Sequence, residues 1–319
     1  MPEDGTFAGK EAPVVVFGGG GFLGHRICRR LLEKGRSVRA VSRHPNKITD
    51  LLGRPAGLNV VEGDIERPED VARLVEGAGA VVNAVSLYVE RGGKTFRDIH
   101  VEAAGQLAAL AHRHGVPLLV QLSGVGADPD SPSRYIAARG AGEIAVRRAF
   151  GNAVIVRPAV MFGPQDGFIC TFSDLLRKYP VFPLFGRGET RLQPSFVGDV
   201  AETIARIVVA GPDPEPRTYE LGGPRTYTYR ELVGIVADEV GVRRLLVPLP
   251  IGIWKGLAAA AERLPKPPVT STEVELMEAP NVATQEPGFA AWDVTPTSVE
   301  EFLREREDRK AAQARHSVG

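Results

Sequence analysis

The sequence predicts an α/β protein built on a doubly wound parallel sheet, with a smaller C-terminal α/β lobe. Short apolar runs rich in β-branched residues alternate with stretches of helical periodicity through the first half of the 319 residues. The first of these runs, 14–17, leads through four glycines into a segment with helical spacing. Beyond Pro158 the alternation loosens, and proline and glycine become frequent. Alternating strands and helices are typical of a parallel sheet covered on both faces.

The charge balance, the cysteine count and the lack of long apolar stretches exclude several classes of protein. The chain has 39 basic and 39 acidic residues, so its formal net charge is zero, which speaks against general nucleic-acid binding. Two cysteines give no disulfide framework and suit a reducing compartment. The acidic N-terminus lacks the features of a secretory signal, and no stretch reaches the roughly 20 apolar residues of a membrane span. We expect a cytoplasmic protein without a membrane span, and the six histidines show no metal-ligand spacing.

The periodicity also predicts the elements and their grouping. After the first strand and helix, strands are expected at 37–42, 58–62, 80–85, 118–122, 153–157 and 218–221, and helices at 66–76, 95–114, 135–150, 199–209 and 229–240. We expect a disordered N-terminal tail over residues 1–11 and a nucleotide-binding core over 12–160. A smaller lobe with returns to the sheet should span 161–304, and a charged tail, either a frayed helix or disordered, 305–319.

The glycine-rich turn after the first strand predicts a nucleotide site. Gly18, Gly21 and Gly24 are spaced by three. Such glycines make the tight turn, let a pyrophosphate approach the backbone and let the helix pack closely on the strand. The helix N-terminus, which includes Phe22 and Leu23, offers free N–H groups to a phosphate. A flexible linker is the alternative, but the position between a buried strand and an amphipathic helix favours a Rossmann-type dinucleotide site.

The end of the second strand bears on the choice of cofactor. An acid there would hold the ribose 2′-hydroxyl of NAD, whereas an arginine accommodates the 2′-phosphate of NADP. This strand ends in Ser42-Arg43, and no acid follows until Asp50. We expect NADP(H) to be preferred, with NAD(H) as the alternative ligand.

Several motifs carry a family resemblance over about residues 14–201. Residues 17–24 resemble the TGxxGxxG opening of the extended and atypical short-chain dehydrogenase/reductases, and 157–164 are similar to their RPxxxxGP segment. The resemblance implies cofactor contacts from Asp64 and Ile65 after the third strand, from Ala84, Val85 and Ser86 after the fourth, and from Tyr135, Arg139 and Pro158.

The same resemblance identifies candidate catalytic residues. Ser123 and Tyr135 stand where the family keeps its catalytic serine and tyrosine. Arg139 replaces the family's lysine, and His100, aligned on Val101, replaces its asparagine. Arginine keeps a positive charge near Tyr135 but cannot be deprotonated and presents a broad planar fork. Histidine titrates near neutrality and so could relay a proton, although a helix histidine with a satisfied hydrogen bond is the simpler interpretation.

One branch of the family is more similar still. Residues 99–103, the pattern from Tyr135 through Arg139 to Glu143, and parts of 269–297 resemble the nucleotide-binding accessory subunit of respiratory complex I and its bacterial relatives. This implies an accessory component with little or no catalysis. Its partners would be peripheral-arm subunits of complex I, at the cytoplasmic face of the inner membrane. The alternative is a free NADP-dependent reductase, or an epimerase- or dehydratase-like enzyme acting on a carbonyl or quinone substrate.

Overall fold

A computed structural model describes residues 12–215, 217–264, 267, 269–284 and 288–316, with side chains described through residue 308. The tail predicted over residues 1–11 lies outside this range. The chain divides into two compact units. One contains the described residues of 1–158, 200–220 and 285–294, and the other those of 159–199, 221–284 and 295–319.

The elements up to Pro158 alternate regularly between strand and helix. They are β1 (Val14–Phe17), α1 (Gly24–Glu33), β2 (Val38–Ser42), α2 (Pro45–Leu52), β3 (Leu58–Glu62), α3 (Pro68–Val75), β4 (Ala80–Asn83), a π-helical turn (Asp98–Ala103), α4 (Ala104–Arg113), β5 (Leu119–Leu122), α5 (Arg134–Ala149) and β6 (Val154–Pro158).

After Pro158 the elements are shorter and less regular. They are β7 (Met161–Phe162), α6 (Ile169–Lys178), β8 (Val181–Phe185), β9 (Arg191–Leu192), β10 (Ser195–Phe196), α7 (Val197–Ala210), β11 (Thr218–Leu221), β12 (Tyr227–Thr228), α8 (Tyr229–Glu239), β13 (Leu245–Leu249), α9 (Ile251–Ala261), α10 (Ser271–Leu276), a 3-10 turn (Phe289–Trp292) and α11 (Val299–His316).

The main sheet confirms the predicted fold class. Its strand order is β11-β6-β5-β4-β1-β2-β3, and β1 to β6 pair in parallel. The order reverses beside β1, which lies between β2 and β4. In open α/β sheets, ligands bind beyond the carboxyl ends of the strands at such a switch point. Here that point is where Phe17 of β1 pairs with Asn83 of β4, immediately before the glycine turn.

The central strands are buried on both faces, which explains their continuous apolar sequences. All four residues of β1 are at most 1% exposed. On one face the sheet packs against apolar side chains of α3 and α4, among them Val71, Leu74, Leu107 and Ala111. This core holds the strand ends, and therefore the loops after them, in fixed positions.

Two features before Pro158 differ from the sequence-based expectations. The helix expected over 95–114 begins with the π-helical turn Asp98–Ala103 and continues as α4. Helix α2 was not predicted, although Pro45 occupies its first turn as proline often does. After residue 304, where a frayed helix was one of the two alternatives, residues 305–316 are the continuation of α11, which runs from Val299 to His316.

Candidate functional site

The glycine turn meets the turn after β4. Gly18 has φ +79°, and a Cβ there would lie 2.9 Å from the carbonyl carbon and oxygen of Ala84. A side chain at Gly18 would therefore be strained and would also collide with the neighbouring backbone. A Cβ on Gly24 would lie 2.1 Å from the Gly18 carbonyl oxygen, so Gly24 lets α1 start directly against the turn. This third glycine thus lets the start of the helix pack closely on the glycine turn.

Gly21 differs from the other two glycines of the motif. Its N–H donates to the Gly18 carbonyl oxygen at 2.8 Å, and a Cβ there would be 3.1 Å from that oxygen, with no other atom within 4 Å. The outer side of this residue is open. Within the part of the chain that the structure describes, the N–H groups of Phe22 and Leu23 donate no hydrogen bond. The turn therefore offers a concave backbone surface with available donors, which fits a pyrophosphate.

The end of β2 adds positive charge beside this turn. A Cβ built at Gly20 would lie 3.4 Å from the Ser42 Oγ and 3.8 Å from the Lys47 Cδ. The Ser42 Oγ accepts a hydrogen bond from the His44 N–H at 3.1 Å. Arg43 is exposed and has no ion pair among the residues described. A group carrying negative charge near Gly20 would meet the Ser42 hydroxyl and the side chain of Lys47, which was not identified from the sequence.

The turns after β3 and β4 are held by side-chain oxygens. Asp64 accepts from the Glu66 N–H at 3.1 Å, and its own N–H donates to Asp70 at 3.1 Å. The Asn83 Oδ1 accepts from the Val85 N–H at 3.2 Å. The side chain of Ile65 is buried in the core at 4% exposure, so a cofactor would meet its backbone.

The candidate catalytic residues Tyr135 and Arg139 are bonded to one another. They lie one turn apart on α5, and the Arg139 Nε donates to the Tyr135 hydroxyl at 2.7 Å. A second guanidinium nitrogen, Nη2, donates to the Ser86 Oγ at 2.9 Å. Arg139 therefore bridges the tyrosine to the turn after β4. The planar fork makes both bonds at once, which the single ammonium of a lysine would do less readily.

Aromatic rings enclose the tyrosine. Tyr88 stacks on Tyr135 with ring centroids 5.8 Å apart, and Phe96 and His100 meet it edge-on at 5.4 and 5.7 Å. Tyr135 is 5% exposed. Burial raises the pKa of its hydroxyl above the usual value, although the charge and the hydrogen bond of Arg139 act in the opposite direction. Sequence reasoning missed Tyr88 and Phe96 because nothing in the loop after β4 places them on Tyr135.

His100 is held by the π-helical turn. Its Nε2 lies 3.0 Å from the carbonyl oxygen and 3.4 Å from the amide nitrogen of Leu87, and it donates to that oxygen in the tautomer that is protonated at Nε2. Burial, together with the nearby charge of Arg139, lowers the pKa of the imidazole to about 3. His100 is therefore neutral at physiological pH. Both the proton relay and the histidine with a satisfied hydrogen bond stay predictions, and the low pKa favours the second.

Ser123 lies close to these groups without a partner. Its hydroxyl is buried and makes no hydrogen bond in the described part of the chain. With His100 and Arg139 it lines a space that has no room for a water molecule. An unsatisfied buried hydroxyl is uncommon and needs an explanation. The backbone holds Ser123 in position, since its N–H donates to the Val156 carbonyl oxygen at 2.8 Å.

Farther along α5, a buried ion triad joins the helix to the sheet. Arg157 on β6 donates to both carboxylate oxygens of Glu143 at 2.9 and 2.7 Å, and to Glu220 on β11 at 3.2 Å. The hydrogen bonds to Glu143 raise the pKa of the Arg157 guanidinium. Glu143 lies one turn beyond Arg139 on the same helix, so the triad fixes the orientation of the element that carries Tyr135 and Arg139. Pro158, expected at the cofactor, is buried at the end of β6, and its carbonyl oxygen accepts from the Val125 N–H at 3.1 Å.

Three features together define a dinucleotide-binding α/β protein: the switch point of the sheet, the glycine turn, and the hydrogen-bonded pair of Tyr135 and Arg139. A family model described as NAD(P)H-binding matches residues 18–170. The chain belongs to the short-chain dehydrogenase/reductase superfamily, and its relatives include both complex I subunits and reductases.

Two curated relatives illustrate this division. Subunit 9 of the NADH dehydrogenase [ubiquinone] 1 alpha subcomplex from Arabidopsis thaliana is 33% identical over 249 residues, covering 76% of this chain. The match spans 62% of that relative's own length. The ceramide reductase of Caulobacter vibrioides is 30% identical over 243 residues, covering 74% of this chain and 73% of the reductase.

Among solved structures, the triphenylmethane reductase of Citrobacter sp. complexed with NADP(H) matches with a TM-score of 0.73 at 17% identity. The match covers 92% of this chain and 99% of that one. At this identity, the likeness supports the fold. In the described residues, no helix is long and apolar enough to cross a membrane.

Proposed function

We propose that this chain is an NADP(H)-binding accessory protein of respiratory complex I with little or no catalysis of its own. The observation that carries the proposal is the bridge from Arg139 to Tyr135 and Ser86. A guanidinium keeps the shape of the site and can meet a ribose, but it cannot be deprotonated. Burial raises the Tyr135 pKa and leaves His100 neutral, so neither group is poised for proton exchange near neutrality.

The geometry of the glycine turn and of the end of β2 supports a proposal for the residues that would hold the nucleotide. Backbone donors at Phe22 and Leu23 would take the pyrophosphate, and Gly21 leaves room for its approach. Ser42 and Arg43 would take the 2′-phosphate, because a phosphate matches both a hydroxyl donor and a guanidinium fork. A bound NADPH supplies a hydride where a protein uses it for chemistry. In the accessory role that we propose, the nucleotide is a structural or sensing ligand.

The likeness to complex I subunits supports a place in that assembly, with peripheral-arm subunits as partners on the cytoplasmic side of the inner membrane. Purification from the native host tests this directly. We expect mass spectrometry to identify NADPH or NADP⁺ in the protein and complex I subunits among the co-purifying chains. A protein that elutes alone, with no complex I subunit, contradicts the accessory role while leaving the nucleotide site intact.

A reductase is the second candidate, because Ser123 and Tyr135 are both retained and a ceramide reductase is among the relatives. The discriminating assay is steady oxidation of NADPH in the presence of quinones, aldehydes and ketones. We expect none. If a substrate is turned over, and Tyr135→Phe reduces the rate by the roughly hundredfold or more expected of general acid–base catalysis, the reductase is correct and Arg139 serves in place of lysine.

A further inference from the structure

Helix α9 presents an apolar face to solvent. Only Ala258 of its residues is fully buried. Ile253 and Leu257, one turn apart, are 49% and 48% exposed, and Leu264 just beyond the helix is 53% exposed. Small residues on the same side extend this face: Gly252, Gly256 and Ala260. When a helix is apolar on its solvent side as well as on its packed side, the solvent side is an apolar surface of the kind that marks an interaction site.

The two-stranded sheet formed by β8 and β13 extends this surface within the same compact unit. One face of the sheet carries Val181, Pro183 and Phe185 of β8 opposite Leu245, Val247 and Leu249 of β13. At the carboxyl end of β8, Trp254 of α9 packs on Phe185 with ring centroids 4.4 Å apart. At the amino end, Val181 and Leu245 remain 45% and 64% exposed. The outer side of this sheet is therefore apolar from end to end and only partly covered by α9.

The segment that contains β13 and α9 is basic. Residues 243–264 contain four basic residues, Arg243, Arg244, Lys255 and Arg263, against the single acid Glu262. Four minus one gives a net charge of +3 in a chain whose formal charge is zero. Lys255 is paired with Glu278 at 2.9 Å, whereas Arg243 and Arg263 are exposed.

We infer that α9 and the adjoining face of β8 and β13 dock on the surface of an anionic phospholipid bilayer. Exposed aliphatic side chains would enter the interface while the basic residues meet lipid phosphates, the combination typical of helices that lie in the membrane plane. A two-fold pairing with a second copy is disfavoured, because an isologous contact sets the same basic residues against each other. The docking surface belongs to a different compact unit from the glycine turn and takes a different ligand, so it goes beyond the proposed function.

Vesicle sedimentation of the nucleotide-free protein tests the inference independently of complex I. Wild type should bind vesicles of phosphatidylcholine with phosphatidylglycerol and bind phosphatidylcholine alone far more weakly. Ile253→Glu with Leu257→Glu should weaken binding by about tenfold or more, because charged side chains cannot enter the interface. The matched control is Val209→Glu on α7, where the original side chain is 46% exposed, and it should bind as wild type does. Equal binding by both variants overturns the inference.

Two further measurements keep the test decisive. Arg243→Gln with Arg263→Gln should reduce binding to the anionic vesicles and its dependence on salt. Trp292→Phe leaves Trp254 as the single tryptophan of the chain's two, and its fluorescence should shift to the blue and be quenched by brominated lipids. An unshifted spectrum contradicts membrane contact. A second result would also contradict membrane contact: the wild type binds no vesicles, and light scattering shows a wild-type dimer that the Ile253 and Leu257 substitutions convert to a monomer.

Discussion

Arg139 donates a hydrogen bond of 2.7 Å to the hydroxyl of Tyr135, one turn earlier on α5. The two side chains form one buried unit, since the guanidinium carbon also lies 4.9 Å from the centroid of the tyrosine ring. Ser86 completes the unit from the opposite loop. This arrangement links α5 to the turn along which the nucleotide is proposed to lie. Substitutions of Arg139 therefore measure how much these bonds contribute to the free energy of unfolding.

Arg139→Ala should destabilise the protein by about 1–3 kcal/mol, because it leaves the buried Tyr135 hydroxyl without its partner. Arg139→Lys should cost less, since an ammonium can keep one of the two bonds. Urea unfolding followed by circular dichroism measures both changes as shifts in midpoint at constant slope. Equal midpoints for wild type and Arg139→Ala would show that the bridge adds nothing to stability.

Arg43→Ala should weaken NADPH binding and leave NADH binding unchanged, because only NADPH carries a 2′-phosphate. A hydrogen bond to a charged group contributes about 1.5–3 kcal/mol, which is roughly tenfold or more in affinity. Calorimetric titration with both nucleotides gives the comparison. Arg113→Ala, an exposed arginine near the end of α4, is the control and should alter neither affinity. A wild type that binds NADH as tightly as NADPH would refute the role proposed for Arg43.

Gly21→Val should abolish nucleotide binding in a folded protein, because the branched side chain would fill the open side of the turn. Gly24→Val should instead prevent folding, since even a Cβ there lies 2.1 Å from the Gly18 carbonyl oxygen. Circular dichroism and NADPH titration separate the two outcomes. If folded Gly21→Val binds NADPH normally, the turn is structural only.

Gly142 should be intolerant of any side chain. A Cβ there would lie 2.0 Å from the carbonyl oxygen of His100, so Gly142→Ala must push α5 away from the π-helical turn. Gly234→Ala in α8 is the matched control, because a Cβ there meets no atom within 4 Å. It should stabilise the protein by about 0.8–1 kcal/mol through helix propensity. The midpoint temperature of thermal unfolding should therefore fall for Gly142→Ala and rise for Gly234→Ala. A shift of both midpoints in the same direction would contradict the packing argument.

His100 predicts a pH dependence of stability. Its imidazole takes a proton near pH 6.5 when unfolded but only near 3 when folded, so below pH 6.5 the unfolded state binds more protons. Stability is therefore lost as the pH falls from 6.5 towards 3. Between pH 7 and 5 this group should account for about 2 kcal/mol. His100→Asn should flatten that part of the profile in denaturant titrations, and an unchanged profile would mean that His100 is not held neutral.

The sequence predicted those parts of the molecule that depend on residues close together in the chain, namely secondary structure and the glycine turn. Alternation of apolar runs and helical spacing predicted the order of most elements before Pro158, and the spacing of Gly18, Gly21 and Gly24 located the turn at the switch point. The enclosure of Tyr135 was not predictable in the same way. Tyr88 reaches it from an irregular loop, and the low pKa of His100 arises from burial beside Arg139. Such properties depend on tertiary packing, which periodicity does not encode.

The π-helical turn at Asp98–Ala103 also affects how this chain is aligned with others. Hydrogen bonds in a π-helix skip one residue more than those in an α-helix. Compared with a family member that has a regular helix here, the turn therefore contains one extra residue. That residue rotates the preceding part of the helix by about 100° around the helix axis. An alignment anchored before the turn and one anchored after it would therefore pair His100 with neighbouring positions of such a relative. Substitution patterns in this segment are therefore meaningful only when the gap is placed from the three-dimensional fold.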